Sequence, residues 1–302
     1  MTAAGEVATP APPRQSERQA GRKARLLTGA LLVPASFWYL ALLVLPLVIV
    51  AVYSFGVRGP EGGYQPAFTF DNYAVVATRF GPFWLSLAMA TAGTALCALI
   101  AFPLAYFIAT RATRRKTLLI ILLVIPFWTS FLIRTIAWVT ILGPRGLAGF
   151  LSDLTGTDVQ LLGTPGTILL GIVYNYLPLM IFPLYVTLER LDRTLVEASK
   201  DLGASRWATF RQITLPIVLP GVITGSILVF IPLMGEYVIP AILGYGKVFL
   251  IGNVLQLDFL SSRNWPAGSA KAVVLIAIML VSISFYLWFM NRGRRTRDVS
   301  VL

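Results

Sequence analysis

The sequence has no histidine and a single cysteine among its 302 residues. Without histidine, His-based metal sites and His general bases are excluded. Cys97 has no second thiol to pair with, so no intrachain disulfide forms. It lies inside an apolar run and reads as a small core residue. Charge is also scarce, at 13% of residues, too little to cover a soluble domain of this size. Acidic residues are the scarcest class, 13 against 25 basic ones. No GxxxxGK[ST] phosphate loop occurs, so the chain itself should bind neither ATP nor another cofactor. No metal cluster can be assembled, and no paired carboxylates fall within an apolar run. That leaves a proton relay or a membrane-embedded enzyme without its chemistry.

What is there is apolar. Hydrophobic residues make up 57% of the chain, and they fall in runs of about 20 or more, the length that spans a hydrocarbon core of about 30 Å as a helix. The expected fold is all-α, a polytopic membrane protein with six transmembrane helices, roughly 30–55, 83–109, 117–142, 167–188, 217–243 and 270–290. A polar tail, 1–26, precedes a membrane domain over 27–292, and a short tail, 293–302, follows it. The N-terminal tail, rich in Ala, Pro, Gln and Arg, reads as disordered.

The basic residues decide orientation. With the N-terminus inside, the inner segments hold Arg14, Arg18, Arg22, Lys23 and Arg25, then Arg111, Arg114, Arg115 and Lys116. They also hold Arg190, Arg193, Lys200, Arg206 and Arg211, and finally Arg292, Arg294, Arg295 and Arg297. The bias predicts that both termini are cytoplasmic. The positive charge is then a topology signal facing anionic lipid headgroups, not a nucleic-acid surface. The outer loops, about 56–82, 143–166 and 244–269, are long enough for short helices. FTFDNYAVV reads as an amphipathic element before the second span, and GPRGLAGFLSD as an interfacial or re-entrant helix.

One inner loop stands apart. Residues 197–216 read EASKDLGASRWATFRQITLP, polar and basic between two apolar runs. Leu195, Ala198 and Leu202 share one face of a short helix. Gly203 can take the left-handed conformation that ends it, and Ser205 can cap a second helix from Arg206. Trp207 and Phe210 place aromatic bulk on one face, and Pro216 suits the start of the fifth span. The expected form is helix, tight turn, helix, span. Glu197, Ala198, Ser199, Gly203, Ile213, Leu215 and Pro216 together resemble the EAA loop of bacterial ABC-importer permeases, with Ser199 in place of the second alanine. The resemblance implies the type I permease fold, with 195–216 as the element gripped by a cytoplasmic ATPase.

Flanking residues narrow the resemblance. Residues 173–205, VYNYLPLMIFPLYVTLERLDRTLVEASKDLGAS, are similar to the spermidine/putrescine branch of these permeases. So are residues 229–270, with GEYVIP, LIGNV and NWPAGSA as the distinctive pieces. This implies a bacterial inner-membrane complex of this chain with a second, non-identical permease, two ATPase subunits that use ATP and Mg, and an extracytoplasmic polyamine-binding protein. Branches for iron(III), sulfate and other small solutes share much of the pattern. A stand-alone secondary transporter is the alternative from another class.

A path for polycations needs carboxylates and aromatic faces. Glu236 is the leading candidate, in an apolar stretch between Pro232 and Pro240. It either meets the substrate or forms a structural ion pair with Arg134. Trp138, Tyr174, Tyr176, Phe230 and Tyr237 are aromatic candidates whose other role is packing or interfacial anchoring. Asp258 and Trp265 belong to the last outer loop, at the pathway mouth or as ordinary surface.

Overall fold

A computed structural model describes residues 32–34, 36–111 and 115–295. The expected tail at 1–26 lies outside the described residues, as does the C-terminal tail beyond Arg295. The chain divides into a first unit ending at Val52 and a second from Tyr53 onward. In the first, the described residues form most of α1 (Leu32–Tyr53).

The second unit is helical apart from β1 (Val57–Arg58), paired antiparallel with β2 (Tyr64–Gln65). Its helices are α2 (Asp71–Thr78), α3 (Gly81–Thr110), α4 (Lys116–Trp128), α5 (Phe131–Leu142), α6 (Leu147–Thr155), α7 (Pro165–Glu189), α8 (Arg193–Asp201), α9 (Arg206–Met234), α10 (Val238–Leu243), α11 (Ile251–Gln256) and α12 (Trp265–Arg295). A short helix lies at each of the two outer-loop segments named above, α2 within FTFDNYAVV and onward and α6 from the LAGFLSD part of the other. Among the described residues, six helical stretches are long and apolar enough to cross a bilayer.

Two of the expected spans are corrected. The third, 117–142, is not one helix. Pro126 begins a tight turn at Ile125–Trp128, Thr129 and Ser130 are extended, and α5 starts anew at Phe131. The Thr129 hydroxyl donates to the Pro126 carbonyl at 2.7 Å and so satisfies part of the broken ladder. The candidate span there is Phe131–Thr155, α5 with α6. The fifth, 217–243, begins earlier and stops at Met234, where Gly235, Glu236 and Tyr237 leave the helix before α10.

The core lies where α3, α7 and α9 meet. Its α3 face is narrow because its residues are small: Ala90, Gly93, Cys97, Ala101 and Ala105 recur every three or four positions and are buried. Cys97 is thus a core residue. Small residues let helix backbones approach closely where no hydrophobic force separates helix from lipid. On α9, a Cβ on Gly221 would stand 2.2 Å from the Thr187 hydroxyl oxygen and 2.7 Å from the Pro183 carbonyl oxygen. Gly221→Val should therefore cost roughly 1–3 kcal/mol through overpacking. The yield of monodisperse chain in detergent should fall, while Val222→Leu, at a half-buried position beside it, leaves it near wild type.

Candidate functional site

Two features matter, one at each end of α9. At its N-terminal end is a helical hairpin. Asp192 opens α8 by accepting the Thr194 backbone N–H at 2.9 Å, and that bond holds its carboxyl below the usual carboxylate range. The helix closes at Gly203, whose φ of +79° is left-handed. Gly203 N–H donates to the Lys200 carbonyl and Ala204 N–H to the Ser199 carbonyl, which satisfies the last turn. Ser205 then accepts the Ala208 N–H at 3.2 Å as the next N-cap.

The second arm of this hairpin is not a separate helix, contrary to the expected helix–turn–helix–span. Arg206–Thr209 runs into a π turn at Phe210–Thr214 and on into Leu215–Met234. Pro216 has no N–H to continue the ladder, and a wider turn just before it absorbs the misfit. The same device precedes Pro46 in α1, where a π turn spans Leu40–Val44. The arm is therefore a continuous extension of the membrane helix.

Glu197, Ala198 and Gly203 are exposed, Ser199 is buried, and Ile213, Leu215 and Pro216 are half-buried. Leu202 is 87% exposed and Trp207 68%, so apolar side chains stand free on a polar hairpin. Trp207 stacks on Phe210 at 5.5 Å, and Phe210 meets Phe102 of α3 edge-on at 5.5 Å.

At the other end of α9, 29 residues or about 43 Å along, the chain unwinds around Glu236. This carboxylate is 6% exposed. Its Oε1 accepts the backbone N–H groups of Val238 at 2.8 Å and Ile239 at 3.1 Å, capping α10. Its Oε2 accepts the Tyr176 hydroxyl, and Phe131 stands edge-on to the Tyr176 ring. The ion pair with Arg134, one of the two alternatives, is not formed among the described residues. Arg134 has no carboxylate within 4 Å among the described residues, and its Nε and Nη1 are buried without a hydrogen-bond partner. Its guanidinium lies over the Phe127 ring instead, at 5.7 Å. The unwound backbone at 235–237 gives Glu236 nearer donors than a guanidinium on another helix.

Residues not singled out from sequence hold this break in place. Asn253 donates to the Tyr237 carbonyl at 2.8 Å. A Cβ on Gly252 would lie 2.6 Å from the Gly235 carbonyl oxygen and 2.7 Å from that of Glu236. Ser86 of α3 accepts the Ile251 N–H at 2.8 Å. An Asn in the apolar LIGNV stretch was the available signal.

The remaining candidates separate. Tyr237 is 44% exposed beside Glu236. Trp138 and Tyr174 meet edge-on at 5.4 Å as a pair of their own. Phe230 packs against the core. Asp258 pairs with Lys271 of α12. Trp265 stacks with Tyr53, which stacks on Tyr64. These contacts give Asp258 and Trp265 structural partners of their own.

Known proteins resemble this chain in sequence and in fold. The spermidine/putrescine transport system permease protein PotB of Haemophilus influenzae is 36% identical over 257 residues, covering 82% of this chain and 89% of the relative. The protein of that name in Escherichia coli K12 is 36% identical over 260 residues, covering 84% and 94%. The inner membrane ABC transporter permease protein YdcU of that strain is 31% identical over 259 residues, covering 76% and 81%. In structure, a chain of a bacterial ABC transporter involved in the import of alginate superposes with a TM-score of 0.65 at 19% identity, covering 91% of this chain and 99% of that one. Residues 25–295 match the family described as the binding-protein-dependent transport system inner membrane component. The chain belongs to that family of membrane permeases.

Proposed function

We propose that this chain is one of two non-identical permease subunits of an ATP-driven importer, carrying polyamines of the spermidine/putrescine type into a bacterial cell. Two partner ATPase subunits grip the hairpin at 195–216, and an extracytoplasmic binding protein delivers substrate to the outer loops. ATP and Mg are consumed by the partners; this chain supplies the path. Both termini face the cytoplasm, as the basic clusters require.

One observation carries the reading: the hairpin and the Glu236 break are the two ends of α9. ATP binding draws the ATPase subunits together and displaces the hairpin. Because the second arm has no joint before the membrane, the displacement tilts α9 and shifts the break at 235–237. The spans then pass from inward-facing to outward-facing and accept a polyamine. Exposed Leu202 and Trp207 suit an apolar groove on the ATPase.

Glu236 fits an ammonium ligand. A carboxylate offers about four acceptor positions, and three donors occupy it here. Among the described residues no Lys or Arg lies within 4 Å to cancel its charge. The Tyr176 ring and exposed Tyr237 add aromatic faces for a methylene-flanked cation. The two polyamine-permease relatives share about a third of their residues with this chain, and the alternative solutes have no such support.

The test is uptake of labelled spermidine into proteoliposomes holding the second permease, the ATPases and this chain, with the binding protein outside. Uptake should require both internal ATP and the binding protein, and unlabelled putrescine should compete where sulfate and iron(III) do not. Uptake by this chain alone, driven by an ion gradient, would contradict the proposal.

A further inference from the structure

The hairpin contains one buried polar contact that its surroundings do not explain. Ser199 of α8 and Thr209 of α9 lie on opposite arms, and their hydroxyl oxygens are 2.8 Å apart. Ser199 is 9% exposed and Thr209 5%, on an element where, Thr214 apart, the charged and polar side chains around them are exposed or half-buried. The turn between the arms is held by backbone bonds alone, and nothing lies within 4 Å of where a Gly203 Cβ would stand. Without a link between the arms, the turn is the natural place for the hairpin to flex.

We propose that the Ser199–Thr209 hydroxyl pair is a pin that locks the two arms into one rigid body, and that efficient coupling of ATP hydrolysis to transport depends on it. This deepens the reading of the hairpin as the ATPase handle. A force applied to α8 reaches α9 only if the arms keep their angle. A bond between two buried hydroxyls fixes that angle in a way apolar contact does not, since each group left unpaired in the interior loses its water without replacement. Phe210, one residue beyond the pin, carries the second arm against Phe102 of α3. The EAA pattern that this loop resembles has alanine where Ser199 stands, so the pin is a feature of this chain's own residues. Ser199 and Thr209 are positioning residues: they touch neither nucleotide nor substrate.

The complete complex in proteoliposomes tests the pin through substrate imported per ATP hydrolysed. Ser199→Ala and Thr209→Val should each lower that ratio about fivefold, the cost of one buried bond. Ser199→Cys combined with Thr209→Cys, with Cys97→Ala as background, should show the same low ratio when reduced and recover the wild-type ratio when oxidised. An unchanged ratio in both single variants, a disulfide that does not form, or an oxidised form no better than the reduced one would each overturn the pin. The underlying reading fails separately: it falls if the ATPase binds and drives uptake undisturbed when Gly203 is replaced by tryptophan.

Discussion

Gly203→Trp should leave the membrane helices inserted and separate the permease from its ATPase. The residue holds φ of +79°, which costs an L-residue roughly 1–2 kcal/mol. That local strain falls on an exposed turn, far from the α3–α7–α9 core. The space around the missing Cβ is open within this chain. The indole projects beside Leu202, where the partner is expected to sit. A bulky group at the centre of such an interface weakens association by about 2 kcal/mol or more, roughly thirtyfold. Co-purification of the ATPase with the membrane subunits should drop by that order, ATP-dependent uptake should be lost, and chain yield should stay near wild type. Gly203→Asn, which tolerates the left-handed region, should retain most of both activities. If the tryptophan variant keeps its ATPase and its uptake, the hairpin is not the coupling element.

Glu236→Gln should cut uptake by an order of magnitude or more while the complex still assembles. The substitution is chosen to spare the structural role. Glutamine's amide oxygen can still accept the Val238 and Ile239 N–H groups, and its amide nitrogen can donate to the Tyr176 oxygen. What disappears is the negative charge. If the carboxylate only caps α10, the glutamine variant transports normally, or loses yield and uptake in proportion. If it receives an ammonium group, uptake falls and yield does not. With no ion pair between the two, the effect of Arg134→Gln should not mirror that of Glu236→Gln.

Much of the fold was legible from local rules. Apolar runs placed the long helices, and Gly203 and Ser205 marked the turn and cap because both act on their own neighbouring backbone. The missed side-chain partners share a cause, which is that pairing between distant segments leaves no local trace. Asp258 with Lys271, and Tyr64 with Tyr53 and Trp265, are joined by tertiary packing that no periodicity encodes. Arg134 is an alternative partner for Glu236 because both are charges in apolar stretches, yet the backbone donors that hold Glu236 exist only because α9 unwinds at Gly235. Likewise nothing local to Thr209 signals its contact with Ser199, which only the turn brings about. Proline was visible at 126 and at 216. Its consequence differed, a break in one case and a π turn in the other, because the residues after Trp128 leave the helix while those after Thr214 continue it.

The claim at the centre of this account is that ATP-driven motion of the hairpin reaches the break at Glu236 through α9. The most direct measurement is the labelling rate of Tyr237→Cys by a membrane-impermeant maleimide applied from the outside, in the assembled complex, with nucleotide absent and with a non-hydrolysable ATP analogue bound. Cys97 is buried and should not contribute background. The account predicts labelling at least about tenfold faster with the analogue bound, the accessibility change expected of alternating access. It also predicts that Gly203→Trp abolishes the difference. Equal rates with and without nucleotide in the otherwise wild-type complex would contradict it.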